Sequence, residues 1–167
     1  FLNNDVEIIT ESWLEEMLQL CQQKDVGMVG AKLYYPDDTI QHAGVVVGLG
    51  GVAAHVLCKL PRDAEGYMGR LRCVQEISAV TAACMMVKTS VFKAVGGFDE
   101  ELKVAFNDID LCMKVRKYGV KIVFTPYAEL YHYESKSRGM EDTPEKQLRF
   151  SREVNCFRRK WERELLK

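Results

Sequence analysis

The chain lacks three features that would assign it to a special class of protein. No apolar run approaches the ~20 residues that a membrane-spanning helix needs, the formal net charge is only −1 over 167 residues, and none of the six cysteines forms a Cys-x-x-Cys pair. The near-zero charge gives no whole-domain positive field that would attract nucleic acid or anionic lipid. Several cysteines lie inside apolar runs such as residues 83–87, so we expect reduced core thiols, the usual state in the cytosol, and neither a disulfide framework nor a zinc site.

The composition is that of an ordinary globular protein, with 47% hydrophobic and 28% charged residues. A chain of this length can bury one core, so we expect residues 1–167 to form a single domain. It opens on Phe1-Leu2-Asn3-Asn4-Asp5, without an initiator methionine and as if within a strand. This start predicts a piece of a longer protein, whose other part carries some of the function.

Apolar runs alternate with helical patterns along the chain, which predicts an α/β fold with a mixed sheet flanked by helices. We expect strands at residues 26–34, 40–48, 77–87, 120–124 and 128–133. Helices are predicted after a Thr10 cap and at residues 90–95, 108–118 and 144–166, the last opened by Pro144. Residues 51–75, after a glycine-rich stretch at 48–51, are weakly patterned, which is typical of a long excursion of the kind that often binds ligands.

The segment Asn107-Asp108-Ile109-Asp110 allows two interpretations. Asn107 is a good N-cap, and the helix dipole favours the negative charges of Asp108 and Asp110 in the first turn. Alternatively, a carboxylate held at a helix start beside a cleft can act as a general base. The segment taken alone favours neither.

Two further residues are candidates for metal binding. Asp5 follows a hydrophobic strand, and in open α/β sheets ligands bind outside the carboxyl ends of strands; an Asx-turn is the structural alternative. His132 ends another strand, before a loop that carries Lys136 and Arg138. A metal at His132 together with basic residues could hold phosphates, although a structural histidine and a solvated loop would look the same.

Taken in order, four segments resemble the family-two inverting glycosyltransferases with a GT-A fold: Leu2–Asp5, Gly96–Glu100, Asn107–Cys112 and Pro126–His132. The segment Tyr35–Gly44 further resembles the branch that acts on bacterial surface polysaccharides, including rhamnosyltransferase-like proteins. The resemblance covers the whole chain, but only as the C-terminal part of a GT-A domain that lacks its N-terminal nucleotide-binding portion.

This resemblance implies transfer of a sugar from a nucleotide-diphosphate donor to a hydroxyl of a glycan or lipid-linked acceptor. By position, Asp108 matches the catalytic base, and Asp5 and His132 match the contacts to Mn²⁺ or Mg²⁺. Lys136 and Arg138 match the loop that closes over the donor diphosphate. Because Asn3-Asn4-Asp5 offers one carboxylate, metal binding is expected to depend on the donor phosphates as well.

Weaker candidates for contact with the acceptor or donor sugar are Asn107, Asp110, His42 and Thr81; for His42 a structural role is the alternative. The resemblance also implies a cytoplasmic enzyme that binds no nucleic acid and whose parent can associate with the inner face of the membrane. The 167-residue piece by itself is expected to be inactive or nearly so.

Other classes of protein remain open from the sequence. A non-catalytic carbohydrate-binding module would need aromatic platforms but no alignment of base and metal, and a metal-dependent hydrolase could use the same Asp and His residues. Geometry separates these classes, because a transferase requires Asp5, Asp108 and His132 to converge on one cleft.

Overall fold

The computed structural model describes residues 1–134 and 143–165. Its strands are β1 (Val6–Ile8), β2 (Val26–Tyr34), β3 (Ile40–His42), β4 (Val45–Val47), β5 (Ala53–His55), β6 (Gln75–Glu76), β7 (Met85–Val87) and β8 (Lys121–His132). Its α-helices are α1 (Trp13–Cys21), α2 (Thr89–Ala94), α3 (Asn107–Lys117) and α4 (Pro144–Leu165), and short 3₁₀ turns occupy Leu49–Gly51 and Tyr67–Arg72. The C-terminal helix predicted for residues 144–166 is therefore present through Leu165, and residue 166 lies outside the described part.

A six-stranded mixed sheet forms the centre of the domain. Strands β2 and β8 pair in parallel, and all nine residues of β2 are buried, as expected for a strand inside a parallel pair. Strands β7 and β3 pair with successive parts of β2, while β6 and β1 pair with successive parts of β8, all antiparallel. The predicted mixed α/β architecture is confirmed.

Helices cover both faces of this sheet. On one face, Met17 and Cys21 of α1 pack with alternate β2 residues such as Val29 and Leu33. On the other face, α3 and α4 join a second apolar cluster that includes Phe157 and Trp161. Within the described ranges, no helix combines the length and apolar character needed to cross a bilayer.

The strand predicted for residues 40–48 is two strands in different sheets. Gly44 separates β3 from β4 with a φ of +102°, and a Cβ there would lie 2.4 Å from Cδ1 of Ile77. Glycine is the residue that adopts such a conformation without steric cost. The turn at Gly44 sends β4 away to pair with β5.

The central strand predicted for residues 77–87 is also shorter, since only Met85–Val87 pairs as a strand. Residues upstream cross the face of the sheet instead, where Val80 presses on Gly30 so closely that a Cβ on that glycine would lie 2.5 Å away. The Val80 amide meets Cys112 Sγ of α3 at 3.4 Å. The segment is thus held between β2 and α3 and leads directly into residues 81–83.

The sequence predicted that Pro126 ends a strand. This prediction is wrong, because β8 continues from Lys121 to His132. The parallel register with β2 shifts between Gly30↔Phe124 and Lys32↔Glu129, so the irregular part of β8 contains the proline. On the opposite edge, β6 pairs with residues 123–124 and β1 with residues 130–132. Neither partner requires the amide hydrogen that Pro126 lacks.

Two predicted helix caps are absent. The Thr10 hydroxyl accepts the Glu129 amide of β8 at 3.2 Å, and α1 begins without a side-chain cap. Asn107 is the first residue of α3, and its cap position is Phe106 in the left-handed region with φ +61°. Asn107 Oδ1 instead accepts the Asp108 amide at 2.7 Å.

A buried ionic contact ties α4 to α3. Asp110 is fully buried, and its Oδ1 lies 2.8 Å from both the Trp161 indole nitrogen and Lys160 Nζ. Its Oδ2 lies 2.9 Å from Lys114 Nζ. A buried carboxylate requires such partners, because removing one leaves part of its charge uncompensated.

Replacing Trp161 with Phe should therefore lower the free energy of unfolding by about 1–3 kcal/mol, since the buried carboxylate loses one donor. Urea denaturation measures the change. The control is Tyr118→Phe on a side chain 56% exposed, which should change stability by less than about 0.5 kcal/mol. Equal stability of the two variants would show that the indole hydrogen bond does not hold α4.

Candidate active site

A polar cleft of about 430 Å³ opens where the N-terminal residues, the end of β8 and the start of α3 meet. Five predicted site residues line it: Asp5, Thr81, Asn107, Asp108 and His132. Its other lining residues are Asn3, Asn4, Ala82, Ala83, Val104 and Glu134. The convergence of Asp5, Asp108 and His132 that a transferase requires is thus observed.

Pairing of β1 with β8 brings Asp5 and His132 together. Val6 lies opposite His132 in the ladder, and the Tyr133 amide donates to the Asp5 carbonyl at 2.8 Å. Asp5 Oδ1 then lies 3.3 Å from His132 Nε2, with both side chains only 12% exposed. Nδ2 of the Asn3 side chain lies 3.1 Å from the same Nε2.

This pair has the chemistry of a divalent-cation site. Asp5 Oδ1 is buried and receives no hydrogen bond from any described residue, so a carboxylate oxygen with free acceptor capacity faces an imidazole nitrogen. A carboxylate is a typical ligand of Mn²⁺ and Mg²⁺, and an imidazole is a common ligand of divalent transition metals. In residues 1–134 and 143–165, no cluster of three His, Cys, Asp or Glu side chains suits a metal. The remaining ligands of a cation here would be water and substrate phosphates, as is common for Mg²⁺.

Asp108 is oriented by two backbone amides. Its Oδ1 accepts the Ile109 amide of the helix start at 2.8 Å, and its Oδ2 accepts the Ala82 amide at 3.2 Å. Each carboxylate oxygen can accept two hydrogen bonds, so both keep capacity for a further partner. The helix-start and cleft-facing interpretations of Asp108 are therefore compatible in one geometry.

Two residues predicted to contact a sugar lie away from the cleft. Asp110 is fully buried against Lys114, Lys160 and Trp161, because the helical turn that aims Asp108 at the cleft aims Asp110 at α4. His42 is fully buried in β3. The placement of both argues against the sugar-contacting role suggested by the sequence. Lys136 and Arg138 lie outside the described residues.

His42 forms a buried pair with His55, with 2.9 Å between the two Nδ1 atoms. Nε2 of His42 has no partner among the described residues, so the favourable arrangement puts the shared proton on His42 Nδ1 and avoids a buried, unsatisfied N–H. Burial, and then the neighbouring His55 and His132, lower the pKa of His42 well below its usual 6.5. Burial also lowers the pKa of His55, and the negative charges of Asp108 and Glu134 only partly offset this effect.

Because His42 has a lowered pKa in the folded state, the folded chain binds fewer protons than the unfolded chain. The stability contributed by the uncharged His42 side chain is fully present above about pH 6.5. It is lost as the pH falls from there towards the pKa of His42 in the folded state, by up to about 1.4 kcal/mol per pH unit. We expect His42→Asn to flatten the fall in the free energy of unfolding between about pH 6.5 and 5, measured by urea denaturation. Parallel pH profiles for the two proteins would contradict this assignment.

Two residues at this site had no role predicted from the sequence. Gln41 is 5% exposed, and its Oε1 lies 2.7 Å from His132 Nδ1. Glu134 lines the cleft and lies 3.3 Å from Gln41 Nε2. The available signal was a glutamine inside the strand predicted for residues 40–48, since a buried amide needs partners.

Many unrelated enzymes are α/β domains with carboxylate and imidazole groups near strand ends. Comparison with known proteins identifies the fold and the family of this chain. The crystal structure of GalNAc-T7 with UDP, GalNAc and Mn²⁺ matches this fold with a TM-score of 0.57 and 11% identity, over 86% of this chain and 29% of that chain. The shared fold is the GT-A glycosyltransferase fold, as the sequence predicted.

A family model described as "Glycosyltransferase like family 2" matches residues 2–153. The chain therefore belongs to the family-2-like glycosyltransferases.

The curated relatives are longer proteins. Protein y4gI of Sinorhizobium fredii is 60% identical over 161 residues, which cover 96% of this chain and 18% of that protein. The O-antigen biosynthesis protein RfbC of Myxococcus xanthus is 40% identical over 146 residues, 87% of this chain and 12% of that protein. An N-acetylglucosaminyl-diphospho-decaprenol L-rhamnosyltransferase of Mycobacterium tuberculosis is 36% identical over 62 residues, 37% of this chain and 20% of that protein. The chain thus spans less than a fifth of the length of the first two relatives.

Proposed function

We propose that the protein containing this chain is an inverting glycosyltransferase with Asp108 as its general base. It takes a sugar from a nucleotide-diphosphate donor and transfers it to a hydroxyl of a glycan or lipid-linked acceptor. The observation that carries this proposal is the convergence of Asp5, His132 and Asp108 on one cleft. Membership of the glycosyltransferase family supports the reaction class.

The proposed chemistry is one displacement at the anomeric carbon. Asp108 takes the proton of the acceptor hydroxyl as its oxygen forms a bond to that carbon. The bond from the anomeric carbon to the diphosphate oxygen breaks on the opposite face, and its electron pair leaves with the nucleoside diphosphate. The Ile109 and Ala82 amides hold the carboxylate in position, which lowers the entropic cost of aligning base and nucleophile.

Asp5 and His132 would hold Mn²⁺ or Mg²⁺ against the donor. A divalent cation at that position supplies charge neutralisation for the diphosphate leaving group. The cleft beside the pair has room for phosphate oxygens as further ligands, and GalNAc-T7, a protein of the same fold, was crystallised with UDP and Mn²⁺. Lys136 and Arg138 are proposed to assist at the diphosphate.

Relatives suggest the substrate class. One is named for O-antigen biosynthesis and another as a rhamnosyltransferase acting on a diphospho-decaprenol lipid. We therefore place the acceptor among surface-polysaccharide intermediates, and the enzyme in the cytoplasm with its acceptor at the inner face of the membrane. Because the chain spans so little of its relatives, the 167 residues alone are proposed to be inactive or nearly so.

A non-catalytic carbohydrate-binding module is the weaker proposal. Such a module stacks sugars on aromatic platforms, whereas none of the described residues that line this cleft is Phe, Tyr or Trp. The arrangement of Asp108 with the Asp5–His132 pair around one cleft suits group transfer better than it suits sugar binding alone.

The base assignment is tested with Asp108→Asn in the full-length protein, by measuring nucleoside diphosphate released from a panel of sugar nucleotides. We expect kcat to fall by about 10²–10⁴, the usual contribution of a general base. The matched control is Asp25→Asn. The Asp25 carboxylate pairs with Lys121 at the start of β2, outside the cleft, so this variant should retain full activity. Normal turnover by Asp108→Asn would remove Asp108 as the base.

Metal dependence is tested in the same assay with EDTA and with Mn²⁺ or Mg²⁺ added back. His132→Ala and Asp5→Asn should each raise the Mn²⁺ concentration for half-maximal activity by about tenfold or more, because each removes a ligand. Asp25→Asn again serves as the control. Full turnover of the wild-type protein in EDTA would exclude the metal from the mechanism.

A further inference from the structure

The imidazole of His132 has different partners on its two nitrogens. Nδ1 lies 2.7 Å from Gln41 Oε1. Nε2 faces the cleft, 3.3 Å from Asp5 Oδ1 and 3.1 Å from Nδ2 of the Asn3 side chain. A neutral imidazole carries one proton, so these partners decide which nitrogen is bare.

The orientation of the Gln41 amide follows from its other contacts. Gln41 Nε2 lies 3.3 Å from the His132 carbonyl oxygen and 3.3 Å from Glu134 Oε2. Both are acceptors, so the NH₂ group must point towards them; the reverse orientation would set the amide oxygen against two oxygens. Oε1 is therefore the atom that faces Nδ1, and Nδ1 must carry the proton to donate to it.

Asp5 competes for the opposite tautomer. With the proton on Nε2, His132 could donate to Asp5 Oδ1, which otherwise receives no hydrogen bond among the described residues. That contact at 3.3 Å is longer than the contact of 2.7 Å to Gln41. Gln41 is also almost fully buried, at 5% exposure, where a satisfied hydrogen bond is worth more than at the surface. The shorter, buried contact favours a proton on Nδ1.

We propose that Gln41 is a positioning residue that fixes the tautomer of His132, so that Nε2 presents a bare lone pair beside the Asp5 carboxylate. Gln41 contacts both the ring and the backbone carbonyl of His132, so it sets the ring orientation as well. The use of this lone pair as a metal ligand rests on the proposed function, whereas the tautomer itself does not. Metal-ligating histidines almost always donate the N–H of the second nitrogen to such a partner.

The chain contains three histidines, which makes a direct measurement of the tautomer practical. Long-range ¹⁵N–¹H NMR of the histidine-labelled chain distinguishes protonated from bare ring nitrogens, and His132→Ala assigns the signals. Under alkaline conditions we expect Nδ1 of His132 to be protonated and Nε2 bare. A wild-type ring protonated on Nε2 overturns the proposal without any variant of Gln41.

Gln41→Leu removes the acceptor and should move the proton to Nε2, where Asp5 accepts it. The control is Gln75→Leu, a glutamine of β6 that bonds to Arg70 outside the cleft, and it should leave His132 unchanged. An unchanged tautomer in Gln41→Leu overturns the proposal.

Titration with Mn²⁺, followed by paramagnetic broadening of the imidazole signals, separates this inference from the proposed function. If Gln41→Leu shifts the tautomer and weakens Mn²⁺ binding by about 10–100-fold, both are supported. If the tautomer shifts while Mn²⁺ affinity stays the same, Gln41 is supported as the positioning residue and the metal role of His132 is overturned.

Discussion

The parallel pairing of β2 with β8 is the constraint on which the rest of this domain depends. It joins segments about a hundred positions apart, and every other strand of the main sheet is added to one of these two. The register of β8 is irregular around Pro126; before this point β8 pairs with β6, and after it β8 pairs with β1. As a result, His132 ends β8 beside Asp5, although the two residues are far apart in the chain.

The two carboxylates of the cleft differ in how they are held. Asp108 is fixed by α3 and by the segment that crosses above Gly30, and α3 itself is held to α4 by the buried Asp110. The Asp5–His132 pair, by contrast, leaves a buried carboxylate oxygen without a donor among the described residues. Under the proposed function, a cation bound at this oxygen would stabilise the folded protein relative to the empty state.

Neighbouring residues of β3 have different surroundings, at a point where the ladder of β3 with β2 is irregular. Gln41 turns to His132 and Glu134, whereas His42 turns into the core to meet His55. Histidine is a familiar site residue, so the sequence pointed to His42 and left Gln41 without a role. The direction of each side chain in so short a strand depends on its register with β2, which shifts between Leu33 and Tyr34.

Local patterns in the sequence determined the fold class, most helices, the family and the segments that carry Asp5, Asp108 and His132, because periodicity and short motifs reflect nearby residues. They failed at Gly44, at Val80 and at Pro126, where contacts with distant residues decide the backbone. Only the tertiary structure decided that Asp110 is buried under α4 and that Asp108 faces the cleft with its oxygens held by two amides. The same holds for the hydrogen bond from His132 to Gln41. These outcomes depend on packing between segments far apart in the chain, and that packing is not encoded in any one of them.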